Sequence, residues 1–490
     1  MHKKGKIDMG NTYYIVAIEV SSSKISGAVG IETTEGMRIL STASIEVDGF
    51  VSKGIVRNVD KTSEAITSII NMLENDLKDV VIKKAYISFA GLSVHSIKSR
   101  VSRGFGEYIK ITQDIINGME CENRETFQTP DGYKRLQVDT QEYRFEGNVD
   151  YNPIGAPTQF IECNYLNILM KEQFYKQLCD SFKQADIEIE ECICAARLDA
   201  DILLSSDLRR NGCALVNIGA ETTTISIYCN DKPKMLTVLP LGSNNITRDL
   251  TAERISYAQA EEIKIIRGYK SAGNENDGID SVTVDNIINA RMGEILKNVR
   301  YQIEESGERV QHIVFTGGGS KLKNLKLLFE EFLPNFSTDI KPEPQLNLIS
   351  ENGINVNGVI TTALYGLLKQ GKVNCCEDIL SPAQQAAQQN GQLFFADETV
   401  EDIEVQIDDS KTEEENRKAR EEEERLRKEE EKKKKEEEKK RREEEKRRKR
   451  EEKRSGWGRN IGNLFQEWLT NVTTDPEDEN NREEQKDEDK

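Results

Sequence analysis

The stretch CALVNIGAETTTISIY, Cys213 to Tyr228, decides how the chain is read. Four apolar residues run into Asn217-Ile218-Gly219, three threonines follow, and Ile225 and Ile227 then alternate with Ser226. That pattern predicts a strand, a tight turn and a second strand. A short turn of Gly and small hydroxyl residues exposes backbone N–H groups that can cradle a phosphate. A related pattern stands near the N-terminus: Tyr13–Val20, then Ser21-Ser22-Ser23-Lys24, then another alternating strand. Two such hairpins predict two halves closing on one nucleotide.

The length of 490 residues predicts two or more domains. The net charge of −19 argues against a nucleic-acid binder, which needs cationic side chains to neutralise phosphates. The charge is uneven: about −10 over 1–380, about −7 over 381–410, about +4 over 411–454 and about −6 over 455–490. Nine cysteines show no metal-binding spacing; Cys192-x-Cys194 and Cys375-Cys376 are too close and lack His partners. An odd, scattered set of thiols without a signal peptide is expected of a reducing cytosol, with the thiols as buried structural residues. No run approaches the ~18 apolar residues of a transmembrane helix.

Along the chain, residues 1–12 are polar. Strands are expected at Tyr13–Val20, Ile25–Glu32 and Met37–Val47. A helix is expected from a cap near Asp60, with Ile66, Ile69, Ile70, Leu73 and Leu77 at helical spacing. Ala85–Ala90 reads as a buried strand. Residues 92–165 read as a small inserted α+β unit, with a helix after Thr112 and strands at Arg135–Tyr143 and Thr158–Tyr165. A helix at Met170–Ala185 and a strand at Ile187–Cys194 lead into the hairpin at Cys213. Residues 243–312 read as mostly helical, with Ser271–Ser281 as a loop. His312-Ile-Val-Phe-Thr then runs into Gly317-Gly318-Gly319-Ser320 and a helix at Leu322–Phe332, a geometry suited to approaching a nucleotide. A helix at Gly358–Lys369 closes the folded part.

From Glu377 the composition changes. Residues 377–410 read as a flexible linker. Residues 411–454 are nearly all Glu, Lys and Arg in blocks that repeatedly set Glu about four residues before a cation, which supports an isolated helix. Such a helix would span ~66 Å at about 1.5 Å per residue; disorder is the alternative. In 455–472, Trp457, Ile461, Leu464, Phe465, Trp468 and Val472 form one apolar stripe. An amphipathic helix beyond a charged arm, with Trp and Phe on its apolar face, suits a membrane surface of anionic lipid. A groove on a partner protein is the alternative. Residues 473–490 are an acidic tail.

The order of these motifs resembles the superfamily of actin, the heat-shock chaperone ATPases and the sugar kinases, and within it the FtsA cell-division family. Ala17-Ile18-Glu19-Val20-Ser21-Ser22-Ser23-Lys24 resembles the first phosphate loop, and Val216-Asn217-Ile218-Gly219-Ala220-Glu221-Thr222 the second. Phe315-Thr316-Gly317-Gly318-Gly319-Ser320 resembles the adenosine motif, and Ala260-Glu261-Glu262-Ile263-Lys264 the segment reaching the ribose. Gly54-Ile55-Val56, Gln141-Glu142-Tyr143 and the terminal amphipathic helix are also similar to FtsA. The resemblance covers roughly 13–370 and the terminal helix.

It implies an α/β, actin-like two-lobed ATPase fold of duplicated ribonuclease-H-like domains. Lobe 1 would take 13–91, 166–212 and 345–376, the insert 92–165, and lobe 2 residues 213–344, with 243–312 as its smaller helical subdomain. It also implies ATP and Mg2+ as cofactors, with Glu19 facing the metal. Ligands would come from Ser21, Ser22, Ser23, Lys24, Gly219, Ala220, Glu221, Thr222, Glu261, Lys264, Gly317, Gly318, Gly319 and Ser320.

The departures fall on the acidic chemistry. Where the family's first loop has Asp then Gly, this chain has Glu19 and Ser21. Where the second has Asp, three glycines and a later Asp, it has Asn217, Gly219 with Ala220 and Glu221, and Thr224. Asn217 carries no charge and is no base. A Glu221 carboxylate ~4 Å from a phosphate charge would cost about 4 kcal/mol at an effective dielectric near 20. Binding with poor hydrolysis, no binding, and active ATP hydrolysis all stay open.

By resemblance the small subdomain receives the C-terminal tail of the tubulin-like FtsZ, with Arg291, Glu294, Lys297 and Arg300 on its helix. The chain would self-associate into filaments, meet other divisome proteins and hold FtsZ filaments at the cytoplasmic face of the inner membrane at the division site. An active ATPase or kinase of the superfamily, and a scaffold for pilus or organelle assembly, are the rival functions.

Overall fold

The computed structural model describes residues 13–77, 80–269, 279–341, 348–350, 354, 356 and 358–378. All fall in one compact unit within 1–391. The expected arm at 411–454, the stripe from Trp457 to Val472, the acidic tail, nearly all of the linker and most of the loop at Ser271–Ser281 lie outside the described residues.

Two sheets repeat one plan. In the first, Ile15–Val20, Lys24–Thr33 and Gly36–Glu46 form an antiparallel meander. Lys84–Phe89 joins the free edge of Ile15–Val20 in parallel, and Glu188–Cys194 joins Lys84–Phe89. In the second, Cys213–Ile218, Thr223–Cys229 and Lys232–Leu239 form the meander. His312–Thr316 and then Ser337–Ile340 add in parallel at its first strand. A parallel addition needs a crossover, and helices supply it. Val59–Asp76 carries the chain across the first sheet, and Ser281–Glu305 is the longest helix of the second crossover.

Helix Val59–Asp76 starts because Asn58 Oδ1 accepts the Lys61 N–H at 2.9 Å. The cap is thus Asn58, two residues before the expected Asp60, which lies in the first turn. Ala65, Ile66, Ile69, Ile70 and Leu73 form the buried face, within the core of the first lobe. Helix Thr362–Gln370 returns to that core through Leu364, Leu367 and Leu368. A separate core under the second sheet gathers Val216, Ile225, Ile288, Leu296, Phe315 and Phe329.

The insert is a four-stranded antiparallel sheet in the order Asn148–Asp150, Tyr133–Phe145, Pro157–Lys171, His95–Lys110. Helix Gln113–Thr126, capped by Thr112, buries Met119 in its core. Two features differ from expectation. His95–Lys110 is a 16-residue strand, beyond the two strands expected in the insert. The central strand also runs past 165 to Lys171, so residues 166–171 carry the insert's ladder, while Ile168 and Met170 reach the core of the first lobe.

Six of the cysteines are buried, but Cys121 is exposed, against the expectation of structural thiols throughout. No described helix is long and apolar enough to cross a membrane.

Candidate functional site

The two meanders end in matched four-residue loops. In the first, Val20 pairs with Ile25 and the Ser21 N–H donates to Lys24 O at 3.1 Å. In the second, Ile218 pairs with Thr223 and the Gly219 N–H donates to Thr222 O at 2.8 Å. Both loops face one cavity of about 580 Å³, within the range of small-molecule sites. The Gly317 turn forms another wall, because His312–Thr316 lies parallel to Cys213–Ile218 with Thr316 opposite Asn217.

Of the residues expected at the site, Glu19, Ser21, Ser22, Ser23, Lys24, Asn217, Gly219, Ala220, Glu221, Thr222, Glu261, Lys264, Gly317, Gly318 and Gly319 all line this cavity. Ser320 is not among the lining residues. It is buried, and its hydroxyl donates to Gly317 O at 2.7 Å, closing the turn from behind.

Many of these groups serve the protein's own scaffold. Ser21 Oγ donates to Lys24 O at 2.7 Å, and Ser22 Oγ accepts the Gly54 N–H at 2.7 Å. Gly54 has a φ of +69° and lies against Gly91; a Cβ at 54 would meet Gly91 Cα at 2.6 Å. Gly317, with φ +84°, packs on Asn217 and Ile218, and Gly319 packs on Ile218. Among the three glycines, Gly318 alone has nothing within 4 Å of where its Cβ would stand.

The charged groups form three sets. Glu19 accepts a hydrogen bond from the Thr361 hydroxyl. Burial raises its carboxyl above the ordinary range, against the Thr361 bond and the Lys24 charge. Lys24 donates to Gly358 O, and burial lowers its ammonium while Glu19 opposes the shift. In the second set, Lys264 Nζ lies 2.7 Å from Glu261 Oε2 and 2.9 Å from Thr247 Oγ1, and Thr247 Oγ1 donates to the same carboxylate oxygen at 2.6 Å. Lys264 is lowered by burial, with Glu261 opposing.

The third set includes a residue that the sequence did not single out. Asp199, on helix Ala195–Leu203, lines the cavity with 3% of its surface exposed. Its Oδ2 accepts from Asn217 Nδ2 at 2.8 Å. Burial pushes its carboxyl up to about 7; the Asn217 bond lowers it and the Glu19 charge raises it. Glu221 turns to the opposite lobe, where its Oε2 accepts the Lys53 N–H at 2.5 Å.

The segment 214–356 matches the family model for "Cell division protein FtsA". Over 346 residues the chain is 27% identical to the cell division protein FtsA of Porphyromonas gingivalis, covering 66% of this chain and 71% of that one. Over 352 residues it is 24% identical to the protein of the same name from Bacillus subtilis, covering 67% and 78%. Over about two thirds of its length the chain is similar to the FtsA family of cell-division proteins. Its fold is actin-like. The solved PilM–PilN type IV pilus biogenesis complex shares the fold with a TM-score of 0.53 at 14% identity, covering 73% of this chain and 98% of that one.

Helix Ser281–Glu305 carries the four residues expected to meet a partner. Arg291 is bound to Asp249, with one contact at 3.2 Å, and to Glu294 at 2.9 Å. Those bonds hold its guanidinium above its ordinary pKa. Lys297 Nζ stands 5.3 Å from the centre of the Phe332 ring, and Arg300 pairs with Glu304 at 2.7 Å.

Proposed function

We propose that this chain is an actin-like, FtsA-type adaptor of cell division that binds ATP with Mg2+ between its lobes. The observation that carries the nucleotide half is the convergence of two matched hairpin loops on one cavity, with Gly318 open beside them. The residues fit the group. Glu19 and Asp199 are enclosed carboxyls with unfavourable burial, which a cation would relieve. Lys24 stands beside them for a phosphate.

Magnesium, when bound, would screen phosphate charge. Glu19 and the hydroxyls of the first loop would face it, Thr222 would meet the phosphates from the second loop, and Lys264 and Glu261 would lie toward the ribose. Asn217 is no base, so position and lobe closure, rather than rapid hydrolysis, are the roles this cleft supports. Loss of nucleotide-dependent protection of both hairpins in hydrogen exchange would refute this half.

The adaptor half rests on the similarity to the FtsA family and on the sequence beyond 377. The chain self-associates head to tail, receives the FtsZ C-terminal tail at Arg291, Glu294, Lys297 and Arg300, and meets other divisome proteins at the division site. The stripe Trp457, Ile461, Leu464, Phe465, Trp468 and Val472 holds it on anionic lipid at the cytoplasmic face of the inner membrane. Flotation with anionic vesicles tests the anchor: deleting 455–472 should release the protein, and unchanged flotation would sink the claim.

A further inference from the structure

Position 217 is the penultimate residue of the strand Cys213–Ile218, where the family's second phosphate loop carries an acid. An asparagine amide offers one oxygen acceptor and one NH2 donor. Here Nδ2 donates to Asp199 Oδ2 at 2.8 Å. Oδ1 faces the Gly317 turn so closely that a Cβ on residue 317 would stand 2.3 Å from it. Asn217 therefore brings no charge to the cleft, but it fixes the orientation of a neighbour that can.

Asp199 reaches the same wall of the cavity from a different element. Helix Ala195–Leu203 buries Ala196, Ala200 and Leu203, and Asp199 lies in that otherwise apolar stripe. A carboxylate buried without a cation is costly. The groups acting on it within the protein are the Asn217 amide and the Glu19 carboxylate, and neither is positive. No described group of three or more His, Cys, Asp or Glu side chains could form a metal site. Magnesium at a nucleotide is held by one or two carboxylates, with phosphates and waters completing the shell.

We infer that Asp199 supplies the carboxylate that position 217 lacks, facing with Glu19 the divalent cation that accompanies nucleotide phosphates, and that Asn217 is its positioning residue. The inference rests on the nucleotide reading above. It explains how a chain with an amide in the second loop keeps a second acid beside Glu19: the acid stands on the adjoining helix and is tied back to the loop by one hydrogen bond.

The test measures ATP binding by the full chain, with a fluorescent ATP analogue, in excess magnesium and in EDTA. The wild type should bind on the order of tenfold or more tighter with magnesium. Asp199→Asn, which keeps the side-chain shape, should lose that gain, so that its affinities in magnesium and in EDTA converge. Asn217→Ala should lose part of it. The exchange Asp199→Asn with Asn217→Asp should restore it, because the acid returns to the loop; a merely structural role for Asp199 predicts no such rescue. A full magnesium gain in Asp199→Asn overturns the inference and leaves the nucleotide reading standing. Absence of ATP binding by the wild type in both buffers overturns that reading, and the inference with it.

Discussion

Glu221 Oε2 accepts the backbone N–H of Lys53 at 2.5 Å, so the second hairpin loop is tied to the opposite lobe across the cleft. Lys53 and Gly54 both have positive φ, 53° and 69°, which turns their successive N–H groups into a small anion-binding hollow. Ser22 takes the second of these N–H groups. The extra acid of the second loop is thus held by a protein amide, and the repulsion expected between Glu221 and a bound phosphate is reduced by that orientation.

Glu221→Ala removes both effects. Losing a hydrogen bond to a charged group should cost about 1.5–3 kcal/mol of stability, read as a lower unfolding midpoint of the nucleotide-free protein. ATP affinity should rise, on the order of tenfold, because a like charge leaves the phosphate side of the cavity. A fall in affinity would mean instead that the bridge organises the loop for binding.

The acids of the cleft make stability depend on pH. Asp199 titrates near 7 in the folded protein, where burial dominates, against about 3.9 in an unfolded chain. A raised carboxyl binds its proton more tightly when folded. Its contribution is therefore complete below about pH 4 and is lost as pH rises through about 7, at no more than about 1.4 kcal/mol per pH unit. Glu19 shifts in the same direction. In EDTA and without nucleotide, the unfolding midpoint should fall between pH 5 and pH 8, and Asp199→Asn should flatten that fall. Parallel profiles for the two proteins would rule Asp199 out as the titrating group.

How far the sequence could be read follows from how each segment uses its side chains. The hairpins at Ser21 and Gly219 were legible because short buried apolar runs flank loops that are small and polar. The strand His95–Lys110 was not, because Val101 is its one buried residue and the rest reads as surface. The helix expected from Leu322 begins at Leu325, since Gly318–Lys321 forms a tighter turn and Asn324 is left-handed at φ 59°. Asp199 was hidden among Arg197, Asp201 and Asp207, where an acid passes for solvated charge. Its sign was local: Ala196, Ala200 and Leu203 mark that face as buried, and an acid within it calls for a reason.

The charges on helix Ser281–Glu305 proposed to meet a partner separate into engaged and available groups. Arg291 is committed to Asp249 and Glu294, while Lys297 and Arg300 are exposed. Half-exposed pairs such as Arg300–Glu304 are worth only about 0–1 kcal/mol and exchange readily. The double change Lys297→Glu with Arg300→Glu should therefore weaken binding of an FtsZ C-terminal tail peptide by about tenfold without lowering the unfolding midpoint. Added salt should weaken wild-type binding in the same direction. Unchanged peptide affinity at low salt would remove these two residues from the interface.

Gly317 and Gly318 are adjacent and chemically identical, yet alanine should act on them in opposite ways. At 317 a Cβ would stand 2.3 Å from Asn217 Oδ1 and 2.6 Å from Ile218 O, in a backbone with φ +84° that disfavours side chains. Gly317→Ala should cost about 1–3 kcal/mol in strain and displace Asn217, and with it the bond that orients Asp199. At 318 the added methyl would meet nothing within 4 Å. Gly318→Ala should leave the unfolding midpoint within about 0.5 kcal/mol of wild type, but the methyl would occupy the wall of the cavity and weaken ATP binding. Midpoints from thermal unfolding and affinities from the same ATP analogue give both readouts. If Gly318→Ala binds ATP as well as the wild type, the adenosine side of the cavity is not formed by this turn.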